Sequence, residues 1–175
     1  MSQIVLYAAI SLDGKLARLD GALDWLPQPA PDAVEDYGYA DFYRGIDAAI
    51  MGRNTFDTMM VMGGWPYADR PSYVFSHRPL PDTADRSIHR VDQDIVSWLQ
   101  QPQQAVPARL WLVGGGDLVA QCLAANLIDE MIVTVVPVVL GAGINLFGSV
   151  PESKWALLGS EQFGNGLCQV HYRRV

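Results

Sequence analysis

Short apolar runs alternate with helix-like patterns along most of this chain, and this alternation constrains the fold more than any other feature. Buried strands are predicted at residues 4–10, 48–51, 72–76, 109–113 and 131–136. Helices are predicted from about 33 to 44, from 54 or 55 to about 60, from 92 to 99 and from about 117 to 125. Consecutive parallel strands need a crossover connection, usually a helix, so the pattern predicts an α/β fold with a mostly parallel sheet.

The end of the chain has a different pattern. Residues 155–163 and 167–173 are predicted to be strands on either side of Gly164-Asn165-Gly166, which is a strong turn signal. They predict an antiparallel hairpin that closes the otherwise parallel sheet. A length of 175 residues is typical of one domain, so residues 1–175 are predicted to fold as a single unit.

Capping residues predict where the helices start. The candidate N-caps are Asp32 with Glu35 as its capping-box partner, Asn54 or Thr55, and Asp92. The segment before the first of these helices, residues 12–31, contains several glycines and prolines and is long for a connection. Long connections of this kind are often lids over a functional site.

Composition excludes several classes of protein. The formal net charge is −7, and the sequence lacks the basic stripe that a nucleic-acid surface needs. No apolar run reaches the roughly 18 residues of a membrane span, and the first residues lack the basic start of a signal peptide. Cys122 and Cys168 predict no disulfide framework, and the spacing of the three histidines predicts no metal site. A cytoplasmic protein is expected.

Three glycines lie where the predicted strand at 109–113 meets the next helix. Glycine allows backbone conformations and close approaches that other residues resist. A helix start also offers free N–H groups and a positive dipole end to a phosphate. The segment therefore predicts a phosphate site, with a tight turn without ligand as the alternative: Val113-Gly114-Gly115-Gly116-Asp117-Leu118. It is not the Rossmann fingerprint, because Val119 occupies the place of that motif's last glycine.

Two further strand ends carry groups that suit a phosphate. Gly52-Arg53-Asn54-Thr55 follows one buried strand, and Ser76-His77-Arg78 follows the next. Arg53 and the N–H groups after it could bind a phosphate, and the second cluster could bind the 2′-phosphate that distinguishes NADP from NAD. Ligands of open α/β sheets bind outside the carboxyl ends of the strands, so these segments and the glycine run together predict a dinucleotide site.

These segments make the chain resemble the dihydrofolate-reductase-like superfamily. Within it, the chain is most similar to the reductase domain of the bifunctional riboflavin-biosynthesis deaminase/reductase and its free-standing relatives. The matching segments occur in the family's order and cover nearly the whole chain: residues 8–15, 50–56, 74–78, 113–116, 127–130, Pro137 and 141–143. The resemblance implies a three-layer α/β/α fold with a central mixed, mostly parallel sheet and the C-terminal hairpin.

The resemblance also implies NADPH as the hydride donor. It places the pyrophosphate at Gly115, Gly116, Asp117, Leu118, Arg53, Asn54 and Thr55, and the 2′-phosphate near Ser76, His77 and Arg78. Ala9 and Leu16 would line the nicotinamide, and residues 15–25 would correspond to the mobile loop that closes over the reacting ring. The set of residues expected to bind the cofactor is completed by Gly52, Val113 and Gly114.

The same resemblance suggests three catalytic candidates. In folate reductases one carboxylate binds the pterin and helps to protonate it. Counting back from Gly52, the residue of this chain that matches that carboxylate is Asp36, with Asp41 as a nearby alternative. Asp13 and Lys15 belong to the Ser-x-Asp-Gly-Lys segment of the riboflavin-pathway reductases, in which Lys15 could bind a substrate phosphate or polarise the reacting carbon. The alternatives are a solvated helix residue for Asp36 and a plain turn at Asp13.

Three functions are compatible with these residues. The first is reduction of 5-amino-6-(5-phosphoribosylamino)uracil in riboflavin biosynthesis, or of a near analogue. The riboflavin-pathway reductases usually carry a glutamate at the position of Gly114, so a dihydrofolate or other pterin reductase is the second. The third, from another class, is a module that binds NADPH without catalysis.

A small-molecule substrate and a second copy of the chain are the expected partners. Relatives of this type are commonly dimers, and two-fold dimers are the commonest oligomers. The apolar stretch at 132–140 is predicted to be either an interface strand or a core strand. Three aromatic residues in predicted loops, Trp25, Trp65 and Tyr67, could shape a substrate pocket or pack into the core.

Overall fold

A computed structural model of the chain describes residues 2–27, 36–82, 85–101 and 108–175. Within these residues the chain forms ten strands and four helices. The strands are β1 (Gln3–Ser11), β2 (Lys15–Ala17), β3 (Ala48–Gly52), β4 (Ser72–Phe75), β5 (Ile88–Val91), β6 (Arg109–Gly114), β7 (Glu130–Val136), β8 (Ile144–Asn145), β9 (Trp155–Gln162) and β10 (Cys168–Arg174). The helices are α1 (Tyr39–Arg44), α2 (Arg53–Val61), α3 (Ile95–Gln100) and α4 (Gly116–Ala124).

Eight of the strands form one sheet, in the order β5-β4-β3-β6-β1-β7-β10-β9. Every neighbouring pair from β5 to β7 is parallel, while β10 runs antiparallel to both β7 and β9. The mixed, mostly parallel sheet with a C-terminal antiparallel hairpin is therefore confirmed. β7 is paired along both edges, so the first half of the apolar stretch at 132–140 is a core strand.

The central strands are apolar on both faces. All four residues 48–51 of β3 are fully buried, as are Val5 and Leu6 of β1 and Leu110 and Leu112 of β6. Helices α3 and α4 pack on one face, where Trp98 and Val119 join a core with Leu6 and Ile50. α1 and α2 pack on the other, where Phe42 and Phe56 surround Trp111. Burial on both faces explains the continuous apolar runs and confirms three layers.

Two predicted helix starts were wrong. The first helix begins at Tyr39, not near residue 33, because Tyr37 and Gly38 have positive φ angles that a right-handed helix does not contain. Its predicted cap, Asp32 with Glu35, lies outside the described residues. α2 begins one residue after Gly52, which is its N-cap, so Asn54 and Thr55 are helical residues and not caps.

The third helix start also differs from the prediction. Asp94, not Asp92, is the N-cap of α3, and its carboxylate accepts a hydrogen bond from the backbone N–H of Ser97 at 3.0 Å. Asp92 is instead bonded to His77. Both aspartates are followed by apolar residues at helical spacing, so the local pattern did not distinguish them.

The predicted lid segment contains more regular structure than expected. β2 pairs with β8, and Lys15 Nζ donates a hydrogen bond to Asn145 Oδ1 at 2.6 Å across that pair. Residues 28–31 of the segment lie outside the described residues. Along the described part of the chain, no helix is both long and apolar enough to cross a membrane.

Candidate functional site

A cleft of about 750 Å³ lies at the carboxyl ends of the central parallel strands. The start of α2, the glycine run and the start of α4 line it next to one another, because they follow the neighbouring strands β3 and β6. Segment 16–26 and Ile144 of β8 border its mouth. The residues predicted to bind the cofactor that line this cleft are Ala9, Leu16, Gly52, Arg53, Asn54, Thr55, Val113, Gly114, Gly115, Gly116, Asp117 and Leu118.

The glycine run lets the backbone form one wall of the cleft. Gly114 has a φ angle of +136°, in the region that favours glycine, and the peptide bond between Gly114 and Gly115 is cis. A Cβ atom on Gly116 would lie 2.6 Å from the carbonyl oxygen of Asn145, and one on Gly115 would lie 3.5 Å from Thr55 Oγ1. A side chain at Gly116 would therefore displace β8.

Two helix N-termini open onto this cleft without a side chain capping them. α2 starts after Gly52 and α4 after Gly115, and each helix has nine residues; both N-caps are glycines, which have no side chain to bond to the first turn. First-turn N–H groups have no intrahelical partner in any α-helix, and in these two helices no capping side chain bonds to them either. Free N–H groups at a positive dipole end attract anions, so the two helix starts suit the two phosphates of a dinucleotide.

Arg53 adds a fixed positive charge to this wall. Its Nε donates to both carboxylate oxygens of Asp57, at 2.7 and 2.8 Å, and its Nη1 donates to the Pro79 carbonyl at 2.8 Å. The Arg53 side chain is only 19% exposed. The guanidinium is therefore ordered before any ligand binds.

The predicted 2′-phosphate cluster lies beside the cleft and does not line it. Gly52 of β3 pairs with Phe75 of β4, which lines the cleft, and Ser76 follows directly. Ser76 Oγ donates to the Arg78 carbonyl at 2.7 Å, which closes a tight turn. The His77 side chain is 88% exposed, and its Nδ1 is 2.9 Å from Asp92 Oδ1.

Arg90 is a further cation of this corner that was not predicted from the sequence. Its Nη1 lies 3.0 Å from Asp92 Oδ2 and 3.3 Å from the Ser76 carbonyl. His77 and Arg90 together hold the pKa of the Asp92 carboxyl below its ordinary value. Arg90 belongs to β5, a four-residue edge strand that was not predicted, so no signal placed it here.

The inner end of the cleft is aromatic. Tyr7, Tyr67 and Trp111 line it beside Ala8 and Ala9. Of the three aromatic residues predicted in loops, Tyr67 lines the cleft, while Trp65 packs on Phe56 and Tyr67, and Trp25 packs in a small core beside Phe163. Tyr7 could have been found from the two-residue period of β1, which places it on the same face as Ala9.

The hydroxyl of Tyr7 belongs to a neutral hydrogen-bond network. It donates to the Tyr37 carbonyl at 3.2 Å and accepts from the Gln169 amide at 3.4 Å, and that amide also donates to Thr134 Oγ1 at 2.9 Å. Burial raises the pKa of Tyr7 above its ordinary value. The phenol therefore keeps its proton at neutral pH and remains able to donate a hydrogen bond.

Asp36 is held at the start of α1. Its exposed carboxylate accepts hydrogen bonds from the backbone N–H groups of Gly38 at 3.0 Å and Ala40 at 2.8 Å, which is the work of a capping residue. Asp41 is 84% exposed and paired with Arg44. Neither aspartate lines the cleft, although Asp36 is near enough to Tyr7 to influence its titration.

Asp13 and Lys15 also lie outside the cleft lining. The Asp13 carboxylate accepts from Ser11 Oγ at 2.7 Å and from the backbone N–H groups of Leu140 and Gly141, and these bonds lower its pKa to about 2. Lys15 is bonded to Asn145. Their geometry is that of a structural junction, and their catalytic roles stay predictions.

This chain matches one protein family and two uncharacterised bacterial proteins. Residues 2–169 match the family described as the RibD C-terminal domain. The uncharacterised protein YwjB of Bacillus subtilis (strain 168) is 38% identical over 173 residues, covering 98% of this chain and 97% of that protein. A second uncharacterised protein of the same organism, YyaP, is 26% identical, with 97% of this chain and 94% of that protein covered.

Two solved structures are similar as well. A protein from Shewanella sp. PV-4, whose name assigns it to riboflavin biosynthesis, has a TM-score of 0.88 and 30% identity over 99% of each chain. The deaminase/5-amino-6-(5-phosphoribosylamino)uracil reductase of Thermotoga maritima has a TM-score of 0.73. It is 15% identical, and the match covers 99% of this chain and 57% of that one, so it shows a shared fold.

Proposed function

The chain belongs to the RibD C-terminal domain family of riboflavin-pathway reductases, and from this membership we propose that it is an NADPH-dependent oxidoreductase. It would transfer a hydride to a small heterocyclic or sugar-bearing substrate. The observation that carries the proposal is the cleft bordered by two uncapped helix starts, the glycine run and the ordered Arg53. Such a wall suits a dinucleotide better than a single small anion, because two adjacent helix starts offer N–H groups to two linked phosphates.

The residues of the cleft divide into a phosphate part and a ring part. The starts of α2 and α4, with Arg53, would hold the pyrophosphate, and the neighbouring corner of Ser76, His77 and Arg78 would hold the 2′-phosphate. Ala9 and Leu16 would lie against the nicotinamide. Bound NADPH would supply the hydride, while the chain binds and orients both reactants and limits their contact with water.

The first candidate substrate is 5-amino-6-(5-phosphoribosylamino)uracil or a near analogue. Family membership supports this choice, as does the name of the Shewanella protein with its 30% identity. The substrate ring would lie at the inner, aromatic end of the cleft, where the polar groups are neutral. Tyr7 offers a hydroxyl there, and Trp111 and Tyr67 offer flat apolar walls.

A pterin such as dihydrofolate is the second candidate. One observation favours it: the φ angle of +136° at Gly114 is one that L side chains rarely adopt, so this backbone would be strained by the glutamate that riboflavin-pathway reductases usually carry. Gly114 lines the cleft and brings no side chain to it. The substrate pocket would then differ at this position from that of those reductases.

Calorimetric titration of the full chain with NADPH tests the cofactor. We expect binding at micromolar concentrations or tighter, because several backbone N–H groups and one ordered arginine would contact phosphate. Absence of binding at that level would contradict the proposed function, whatever the substrate.

Loss of NADPH absorbance tests the reaction. The aminopyrimidine and dihydrofolate are each mixed with the chain and NADPH, and we expect the aminopyrimidine to be consumed faster. Faster consumption of dihydrofolate would favour the second candidate. Binding of NADPH without consumption of either compound would favour the module without catalysis.

Asp13, Lys15 and Asp36 are tested in the same assay. We propose that Asp36 assists protonation, so that replacing it with Asn changes turnover, and that Lys15 acts mainly on the substrate's KM.

We also propose that the protein is a homodimer in the cytoplasm. Sedimentation equilibrium of the full chain would contradict the dimer if it gave the mass of one chain.

A further inference from the structure

The Arg53 guanidinium is held by two groups on different segments. Asp57 lies one helical turn further along α2 and bonds to Nε through both carboxylate oxygens, at 2.7 and 2.8 Å. Pro79, in the segment after β4, accepts from Nη1 at 2.8 Å. Arg53 lines the cleft, whereas Asp57 is not among the lining residues. Arg53 is thus in a position to contact a ligand in the cleft, whereas Asp57 is hydrogen-bonded to Arg53.

This arrangement connects the two predicted phosphate corners. Arg53 stands at the start of α2, in the pyrophosphate corner, and Pro79 follows the Ser76, His77 and Arg78 corner directly. An arginine free to rotate would lose side-chain entropy each time it bound a phosphate. Here that loss has already occurred on folding, because the guanidinium has hydrogen bonds on two sides.

We propose that Asp57 is a positioning residue for the cofactor, which fixes the Arg53 guanidinium so that it meets a dinucleotide phosphate without further ordering. The inference rests on the proposed function, since it requires that NADPH occupies the cleft. It assigns to Asp57 an effect on affinity that acts through Arg53 and not through contact with the cofactor.

The sign of the effect distinguishes positioning from simple electrostatics. A carboxylate near a phosphate repels it, so removing the charge of Asp57 would strengthen NADPH binding if repulsion were dominant. The Asp57 side chain is 42% exposed, and water and salt weaken such a repulsion. The ordering of a long side chain is not screened by salt. Positioning therefore predicts weaker binding after the negative charge is removed.

The first measurement is the NADPH dissociation constant of Asp57→Asn. We expect a rise of about 3- to 10-fold, the usual range for one side chain that must be ordered on binding. The melting temperature should change little, because a partly exposed ion pair one turn apart on a helix stabilises a fold only weakly. Asp57→Glu, which can still reach Arg53, should recover most of the affinity.

A double-mutant cycle shows whether Asp57 acts through Arg53. Arg53→Ala alone should raise the NADPH dissociation constant about 10-fold or more, for loss of a charge-assisted contact. In the Arg53→Ala background, Asp57→Asn should cause no further rise. Additive effects of the two substitutions would overturn the proposal, and so would an unchanged or lower dissociation constant for Asp57→Asn alone.

Asp69→Asn is the matched control. It removes another aspartate that pairs with a largely buried arginine, Arg70, and neither of these two residues lines the cleft. We expect its NADPH dissociation constant to equal that of the unmodified chain. If the unmodified chain itself does not bind NADPH, the proposed function fails; if it binds and the cycle is additive, only the role of Asp57 fails.

Discussion

Tyr7 shows how one side chain can be both structural and available to a ligand. Its ring stacks on Phe42, with centroids 4.2 Å apart, and meets Trp111 edge to face at 6.2 Å. Its hydroxyl lies in the network with Tyr37 and Gln169, where both hydrogen bonds are longer than 3.1 Å. Hydrogen bonds of this length are weaker than shorter ones, so we propose that the hydroxyl exchanges them for a bond to a substrate in the cleft.

Replacing Tyr7 with Phe tests this role. We expect the NADPH dissociation constant to stay within about 2-fold. The kcat/KM for the substrate that is being reduced should fall about 5- to 10-fold, which corresponds to the free energy of one neutral hydrogen bond. The measurement is the rate of NADPH oxidation at several substrate concentrations.

Tyr172→Phe is the control for this substitution. Tyr172 lies on β10 opposite Met131 and does not line the cleft. It should leave kcat/KM unchanged. An equal loss in both variants would show that Tyr7 affects activity through the packing of the sheet and not through its hydroxyl.

At the scale of the helices and strands, the structure differs from the prediction mainly in where the helices begin. α3 is capped by Asp94 although Asp92 precedes the same apolar pattern. Asp92 lies at the end of β5, where His77 and Arg90 compete for its carboxylate. Asp94 therefore caps α3 because the carboxylate of Asp92 is already bonded to His77 and Arg90 once the neighbouring strands have formed.

The cap of α3 predicts a specific loss of stability. Asp94→Ala removes the hydrogen bond to the Ser97 N–H, and we expect the melting temperature to fall by about 2 to 4 °C. Asp92→Ala should lower it less, because Asp92 bonds to exposed side chains. Differential scanning calorimetry of both variants compares them, and a larger effect of Asp92→Ala would contradict the assignment of the cap.

Across the whole molecule, acid should weaken the fold through its bonded carboxylates. Hydrogen bonds and ion pairs lower the pKa of several of them below the ordinary value: Asp13, Asp24, Asp69, Asp85, Asp92 and Asp94. A carboxyl whose pKa is lower in the folded state binds protons more readily when unfolded. Its contribution to stability is complete above the unfolded pKa and is lost as pH falls through the folded one.

Asp13 should contribute measurably to this loss. Its pKa of about 2 arises first from the Ser11 hydroxyl and then from the Leu140 N–H, and its unfolded value is near 4. We therefore expect the free energy of unfolding to fall between about pH 4 and pH 2, as followed by urea titration across that range.

The variant Asp13→Asn shows how much of this acid-induced loss of stability is due to Asp13. The variant should be less stable than the unmodified chain at pH 6, and the difference should narrow as pH approaches 2. A constant difference across the range would mean that the charge of Asp13 does not matter to the junction between β1 and residues 140–141.

The sequence by itself determined the main strands, the three-layer α/β architecture, the family and the strand ends that carry the candidate phosphate site. Each of these features is encoded by a short stretch of sequence. A strand buried on both faces has a continuous apolar run, and a hairpin turn has glycine and asparagine. A junction between a strand and a helix at glycines occupies only a few residues. The cleft then follows, because carboxyl ends of parallel strands share one edge.

Only the tertiary structure decided the short strands and the contacts between distant residues. β2 and β8 have three and two residues, too few for a period, and each forms because the other, far along the chain, pairs with it. β5 has no apolar run, because His89 and Arg90 stand in its middle, and it forms by pairing with β4. The contact of Tyr7 with Gln169 spans 162 positions. The hydrogen bonds that Asp13 accepts from the Leu140 and Gly141 N–H groups span 127 and 128 positions, so only the folded chain brings these groups together.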